Sequence, residues 1–266
     1  LLKDQQQRWL LSEAKWYVIP TPNFFQIVGS ATEIDLGKLL NWINDIAGDT
    51  NPSLRETIAA LHLQGKLHDI RWQYVPHEAN KWRFHSRFTD LGMENQGELP
   101  TVHDLSGEMD IYPQGGSLDF TRANLSVQAN SLYTHPLALH QVNGTVRWEQ
   151  KPEGWQVYIK ELQAIDLQKT LVKANGYLLI PNNTDVPQSD ITISLSQTAM
   201  TQVPYYIPDK VLSDLHQWLS DALIAGLLHH VELKLQGPVD QLFSLKQPTF
   251  QLLAQVKNVT LNYAKG

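Results

Sequence analysis

The sequence predicts a mainly β protein of the α+β class, built on one long antiparallel sheet that curves strongly. Apolar and polar residues alternate through much of residues 61–180, which is the period of strands with one buried face. Within these runs the pattern apolar–x–Gly–x–apolar recurs, at Leu63–Leu67, Leu105–Met109, Val142–Val146 and Ala174–Leu178. Because the glycines are unevenly spaced, we interpret the pattern as a degenerate repeat of strand units and not as a strict solenoid.

The composition of the chain excludes several classes of function. The chain has 266 residues, 42% of them hydrophobic, which is enough to bury a large core. Its net charge of −6 leaves no basic surface for phosphates, so we expect no nucleic-acid partner. The sequence has no cysteine, which excludes disulfide bonds and thiolate metal ligands. No apolar run approaches the roughly 20 residues of a membrane helix.

Three stretches change from the strand period to the helical period. They predict helices over about 34–47, 52–60 and 208–225. Asp35 is expected to cap the first helix and Gly226 to end the last one. Since the chain begins without Met, we expect one continuous internal segment of a longer protein. We expect three sub-units in it: strands and helices over about 1–60, the curved sheet over 61–197, and a helix with terminal strands over 198–266.

The strand predicted over residues 80–89 alternates most clearly. Trp82, Phe84 and Phe88 point to one side of it. The other side carries a basic row: Lys81, Arg83, His85 and Arg87. A solvated strand face explains this row better than a site for phosphates or anionic head groups.

The strand before it does not keep a single phase. Ile70 and Trp72 fall out of step with Leu63 and Leu67. A bulge near residues 68–69 would return all four side chains to one apolar face, and bulges also curve sheets. We therefore predict a bulge at that point.

No arrangement of residues predicts catalysis. The sequence has no Gly-rich phosphate loop, no nucleophile elbow and no zinc-protease motif. His229 and His230 are adjacent, but neighbours in a strand point to opposite faces and do not easily hold one metal. The outward face of amphipathic strands explains four carboxylates better than a glycosidase pair does: Asp104, Glu108, Asp110 and Asp119. We predict that the protein is not an enzyme and uses no metal and no cofactor.

The apolar side of the sheet is the remaining candidate for function. From the residues alone, its aromatic row fits an ordinary core and a ligand groove equally well. Three helices can cover only part of a sheet of roughly ten or more strands. Either a second sheet covers the rest, as in a sandwich, or the sheet curls and leaves an apolar trough. Such a trough suits acyl chains, because each buried CH₂ contributes about 0.8 kcal/mol.

A series of individually weak motifs runs along nearly the whole chain: Phe25–Gly29, Glu33–Leu36, Trp42, Leu63–Leu67, Trp82–Phe84, Leu105–Gly107, Gln114–Gly116, Gly144–Trp148, Gly154–Trp155, Tyr206–Pro208, Trp218–Leu219, Gly226, Gly237 and Val259–Tyr263. In this order the motifs resemble those of the AsmA-like proteins of Gram-negative bacteria, and within them the YhdP branch. The chain departs from the family pattern at Leu242–Leu245, where a Pro-Phe pair is expected.

This resemblance implies a bridge-like lipid transporter. Family members are anchored in the inner membrane by an N-terminal helix and extend through the periplasm. Their repeated β-groove units form a taco-like channel, thought to carry phospholipid towards the outer membrane. The present chain would be a periplasmic, non-enzymatic length of that bridge, with its membrane anchor outside it and with phospholipid acyl chains and other envelope proteins as partners.

The groove hypothesis names the residues that line the trough. The alternative is an envelope scaffold, or a β-sandwich module that binds glycan or protein through exposed Trp and Tyr and has a filled core. The predicted lining residues are Ile70, Trp72, Trp82, Phe84, Phe88, Met109, Ile111, Val146, Trp148, Val157 and Ile159.

Overall fold

The structure, a computed structural model, is mainly β. Of the residues that it describes, 70% lie in strands and 12% in helices, which confirms the predicted fold class. The strands pair antiparallel in an open sheet. The described residues are 13–20, 22, 25–38, 40, 62–76, 81–94, 101–129, 132–183, 185–210, 212–242 and 250–262.

The chain divides into two compact units, Leu1–Val127 and Gln128–Gly266. The sub-unit boundaries near residues 60 and 197 stay predictions. In the first unit each strand pairs with the next one along the chain. These strands are β1 (Lys15–Pro20), β2 (Phe25–Asp35), β3 (Leu63–Tyr74), β4 (Trp82–Met93), β5 (Thr101–Tyr112) and β6 (Gly115–Gln128, whose last residue falls in the second unit).

Asp35 caps a helical turn directly after β2, as the sequence predicts. Residues 36–38 and 40 are helical, and the Lys38 backbone N–H donates to Asp35 Oδ1 at 3.0 Å. The predicted start at residue 34 is wrong, because Ile34 is still paired within β2. Residues 39 and 41–47 of this predicted helix, with Trp42, and the whole helix predicted over 52–60 lie outside the described residues.

The second unit contains the other seven strands of the described residues. They lie in the order β7-β8-β9-β10-β12-β11, and β13 also pairs with β12. Between β11 and β12 run a 3₁₀ segment, Met200–Tyr206, and helix α1, Ser213–Ala222. The strands are β7 (Leu137–Lys151), β8 (Gly154–Asp166), β9 (Leu171–Pro181), β10 (Gln188–Leu195), β11 (Thr198–Ala199), β12 (Leu223–Pro238) and β13 (Phe250–Leu261).

Helix α1 is shorter than the predicted helix over 208–225. It ends at Ala222, and β12 begins at the next residue. Gly226 is therefore not a helix stop but lies inside a strand, with φ +133°. The backbone pairing of β12 with β13, which starts at Leu223 and Leu261, outweighs the local helical pattern. None of the described helices is long and apolar enough to cross a membrane.

A bulge interrupts six of the described strands at one polar residue with a positive φ. In β8, Ile159 pairs with Gly176 and Leu162 pairs with Ala174, so two apolar residues three apart face the same side. In β3 the bulge lies at Asp69, where the sequence predicts one, and both Leu67 and Ile70 are buried. The six residues are Asp69, Asp90, Asp104, Gln141, Glu161 and Asn258, and Arg122 of β6 has a positive φ as well.

Three of these bulges face a glycine on the neighbouring strand. Gly65 of β3 lies opposite Asp90, and Gly144 of β7 lies opposite Glu161. A Cβ at Gly65 would come within 2.9 Å of the Asp90 carbonyl oxygen, and the φ of Gly65 is +128°. Gly226 faces Asn258 of β13 in the same way. At Gly65 and Gly144, the apolar–x–Gly–x–apolar pattern therefore marks a glycine that accommodates the bulge beside it.

Replacing Gly65 with Ala should lower the free energy of unfolding by about 1–3 kcal/mol, because Ala is strained at this φ and meets backbone. Gly37→Ala is the matched control, since its Cβ would meet nothing closer than 3.5 Å. Gly37 lies in the helical turn, where Ala should stabilise by about 0.4–1 kcal/mol. Urea unfolding of both variants measures the difference, and an equal effect would contradict the role of the bulge.

Candidate functional site

Cross-strand pairing collects the predicted lining residues of the first unit on one face of its sheet. Trp72 of β3 pairs with Phe84 of β4, which pairs with Ile111 of β5. Paired residues lie side by side on the same face. Trp82, Phe88 and Met109 lie two or four positions from members of this row and so share its face. Ile70 joins them two positions before Trp72, after the Asp69 bulge.

These residues differ in accessibility along β4. Trp82 at the start of the strand is 40% exposed, whereas Phe88 is only 1% exposed. Phe84 lies between them and is half-buried. Phe88 packs edge-on against Phe120 of β6, with ring centroids 6.4 Å apart. Phe88 therefore serves the core, and the accessible part of the apolar face lies towards Trp82.

Two glycines on this face leave space for aromatic rings, because they have no side chain. Gly29 of β2 pairs with Trp72, and a Cβ at Gly29 would lie 2.0 Å from an atom of the indole ring. The indole therefore lies directly over Gly29. Gly107 of β5 pairs with Phe88, and a Cβ there would lie 3.1 Å from that ring. It would come closer still, 2.2 Å, to the Asp119 carbonyl oxygen, so the close approach of β6 also requires this glycine.

The opposite face of the same strands carries ion pairs. The Arg83 Nε–H donates to Asp110 Oδ1 at 2.7 Å, and the hydrogen bond and charge of Asp110 raise the pKa of Arg83. The Arg87 Nε–H donates to Asp69 Oδ2 at 2.6 Å. Lys66 reaches Glu33 at 3.5 Å. Exposed pairs of this kind contribute little to stability, so their main effect is to keep this face polar.

The second unit repeats the same two-faced arrangement. Val146 pairs with Ile159, and Trp148 pairs with Val157, which places the four predicted residues on one face. The rows continue to Ile191 through Gly176. All four predicted side chains are half-buried.

The polar face of the second unit also carries hydrogen-bonded charges. Arg147 pairs with Tyr158 across β7 and β8, on the face opposite to Val146. The Lys151 ammonium lies 2.7 Å from Glu149 Oε1, and the Tyr158 hydroxyl donates to the same carboxylate at 3.0 Å. Hydrogen bonds from Lys151 and Tyr158 lower the pKa of Glu149, so this face stays charged at neutral pH.

One end of the apolar face in the second unit is covered. Met200 of the 3₁₀ segment forms a buried cluster with Leu228 and Val231 of β12, and Leu219 of α1 packs against it. Leu195 of β10 also contacts this cluster. Leu195 and Ile191 lie on the same face of β10, four positions apart, so the cover occupies the strand end away from Trp148 and Val157.

Hydrogen bonds hold this cover in place. The Tyr206 hydroxyl donates to the carboxylate of Asp166, which is buried and also accepts from the Thr170 backbone N–H at 2.8 Å. The Tyr133 hydroxyl donates to the Tyr206 carbonyl oxygen at 3.0 Å. The Thr134 Oγ1–H donates to Asp209 at 2.5 Å. These contacts fix the segment after β11 to the start of β7 and to the turn after β8.

Sequence analysis missed this cover and several residues of the apolar face. Leu178 pairs with Val157 and shares its row, and Phe120 closes over Phe88. Alternation within β9 and β6 could have found both. The contact between Asp166 and Tyr206 joins residues 40 positions apart and leaves no signal in the sequence.

The described residues include no arrangement of side chains that is typical of a catalytic site. Among them, no three His, Asp or Glu side chains come together as a metal site. Asp110 is engaged by Arg83, and Asp119 accepts from the Ser117 hydroxyl at 3.2 Å. Both carboxylates lie on exposed polar faces of strands and are bound to neighbouring side chains. Neither is therefore positioned as one of the two carboxylates of a glycosidase, which flank the same substrate bond. That the protein is not an enzyme stays a prediction.

The fold and the two faces define an amphipathic β-sheet protein whose functional candidate is its apolar face. The chain belongs to the YhdP family, since the model of that family, described as YhdP protein, matches residues 1–266. It is 25% identical over 224 residues to a protein of Escherichia coli (strain K12) named Intermembrane phospholipid transporter YhdP. The match covers 82% of this chain but only 17% of that relative. No solved structure matches the chain.

The side chains that fix the cover should make stability depend on pH in alkali. Burial, followed by the charges of Asp209 and Tyr205, raises the pKa of Tyr133 to about 12. Its pKa in the unfolded chain is about 10. The folded state therefore keeps the proton longer, and this stability is complete below about pH 10 and is lost as the pH rises to about 12.

In Tyr133→Phe the unfolding free energy should fall less steeply over this pH range. The difference between the two slopes corresponds to up to about one bound proton, because the variant lacks the phenol that titrates. Urea unfolding of both proteins at a series of alkaline pH values measures the two slopes. Identical slopes would contradict the burial of this phenol in the folded state.

Proposed function

We propose that this chain is a non-enzymatic periplasmic segment of a lipid-transport bridge, whose apolar face holds phospholipid acyl chains on their way between the inner and outer membranes. The observation that carries the proposal is the separation of the two faces. The rows through Trp72 and Phe84 and through Val146 and Ile159 contain no charged side chain. The charged residues Arg83 and Arg147 lie on the opposite faces.

Physical chemistry favours an acyl chain as the occupant of such a face. Each CH₂ removed from water contributes about 0.8 kcal/mol, and no directional bond is required. A surface without fixed polar partners therefore binds a chain tightly enough to exclude water, while a chain can slide along it at little cost. The accessible lining residues, such as Trp72, Phe84 and Val157, suit this use better than the buried Phe88.

Family membership supports the same proposal. The Escherichia coli relative is named as an intermembrane phospholipid transporter, and this chain spans 17% of its length. A share of that size fits one length of a longer conduit. The periplasmic location, an inner-membrane anchor outside this chain and contacts with other envelope proteins are parts of the proposal.

An envelope scaffold or a glycan- or protein-binding module is the second candidate. The exposed aromatic side chains of β1 favour it, since Trp16 is 70% exposed and Tyr17 is 62% exposed. Such rings are common at surfaces that bind proteins and sugars. This candidate predicts binding through β1 and no lipid on the row of Phe84.

Photo-crosslinking distinguishes the two candidates. A photoreactive phenylalanine analogue at Phe84 or at Val146 should capture phospholipid in cells labelled with radioactive phosphate, because both side chains lie on the apolar face. The adjacent positions Arg83 and Arg147 are matched controls, since neighbours in a strand point to opposite faces. Capture at these controls should be at background.

Equal labelling at Phe84 and Arg83 would refute the groove, because an acyl chain on one face cannot contact both. If an analogue at Trp16 captures protein or glycan and the analogue at Phe84 captures no lipid, the result would favour the second candidate. Mass spectrometry of the adducts identifies the captured molecule in either case.

A further inference from the structure

The row that crosses β1, β2 and β3 contains one residue without a side chain. Trp16 pairs with Gly29, and Gly29 pairs with Trp72. Three paired residues on one face are close neighbours, so a side chain at the middle position would stand between the two indoles. The place of that side chain is taken by the indole of Trp72.

The ring occupies this place so closely that any side chain at position 29 fits only if the ring moves. A Cβ at Gly29 would lie 2.0, 2.1 and 2.6 Å from three atoms of the Trp72 ring. Real Cβ contacts are never that short, so even Ala would force the indole to leave. The nearest atoms all belong to this one side chain, and no backbone atom is among them. The φ of Gly29 is not positive, unlike that of Gly65.

Gly29 therefore differs in kind from the glycines beside the bulges. At Gly65 and Gly144 an added Cβ meets backbone, so those residues determine how the strands pair. At Gly29 an added Cβ leaves the backbone free and changes only where the indole lies. The indole cannot pass through the sheet, so the ring must move to another position on or above the apolar face.

We propose that Gly29 is a positioning residue that keeps the Trp72 indole flat on the apolar face, and that the flat ring leaves the height that an acyl chain needs above β2 and β3. This inference rests on the proposed function, because it specifies how the same apolar face admits its ligand. A raised indole would occupy the space above the row of Trp72, Phe84 and Ile111. The size of the residue at position 29 would thus determine whether an acyl chain can pass over this part of the apolar face.

Three variants test the inference: Gly29→Ala, Trp72→Leu and the double variant. Each carries the photoreactive analogue at Phe84, the neighbour of Trp72 in the row, within the protein at the full length that the cell makes. Gly29→Ala should reduce phospholipid capture by about fourfold or more, the change that corresponds to the loss of one buried methylene contact. The double variant should recover capture to the level of Trp72→Leu alone, since no ring remains to be displaced.

A second measurement follows the ring itself and needs no lipid. Fluorine NMR of the protein labelled with 5-fluorotryptophan, assigned with Trp72→Leu, reports the solvent exposure of the Trp72 ring. Gly29→Ala should shift this resonance towards that of an exposed indole. Urea unfolding of each variant shows whether a loss of capture merely follows a loss of folded protein.

The outcomes separate the inference from the function on which it rests. Absence of lipid capture at Phe84 in the wild type would refute both. Normal capture in Gly29→Ala, or a fluorine resonance that does not move, would overturn the inference and leave the proposed function intact. If Gly29→Ala alone does not fold, Trp72→Leu with and without Gly29→Ala decides: equal capture supports the inference, and a further loss in the double variant overturns it.

Discussion

The bulge is the constraint on which both faces of the sheet depend. A strand of regular period changes face at each residue, so two apolar residues three positions apart would point to opposite sides. The polar residue with positive φ between Ile159 and Leu162, or between Leu67 and Ile70, removes this conflict. A glycine on the next strand, as at Gly65 opposite Asp90, gives the bulge room. Long strands thus keep one apolar face throughout.

The separation of charge from the apolar face follows from this device. The bulged residues are exposed, and Asp69 accepts a hydrogen bond from Arg87 on the polar face of its strands. An ion pair near the surface leaves both of its groups in contact with water. The same residue therefore corrects the phase of the strand and supplies an ion pair, and no charge has to be buried on the lining side.

Alternation in the sequence predicts the individual strands well and their bulges poorly. The sequence predicts that Trp82, Phe84 and Phe88 share one face, and the structure agrees because no bulge lies between them. It predicts only the bulge at Asp69, since apolar residues spaced by three also match a helix. The same ambiguity explains the wrong prediction at Gly226. The apolar residues before it have helical spacing, and only the pairing of β12 with β13 shows that it lies in a strand. Contacts such as Tyr206 with Asp166 depend on the finished fold.

The burial of the lining residues divides them by physical role. Phe88 makes a T-shaped contact with Phe120 and excludes solvent, so its apolar surface is already used in folding. Trp72 and Phe84 keep part of theirs in water, which costs free energy that only another apolar partner can recover. Under the proposed function, an acyl chain would therefore bind at Trp72 and Phe84, where folding has left apolar surface unused, and not at Phe88, whose surface already holds the sheet together.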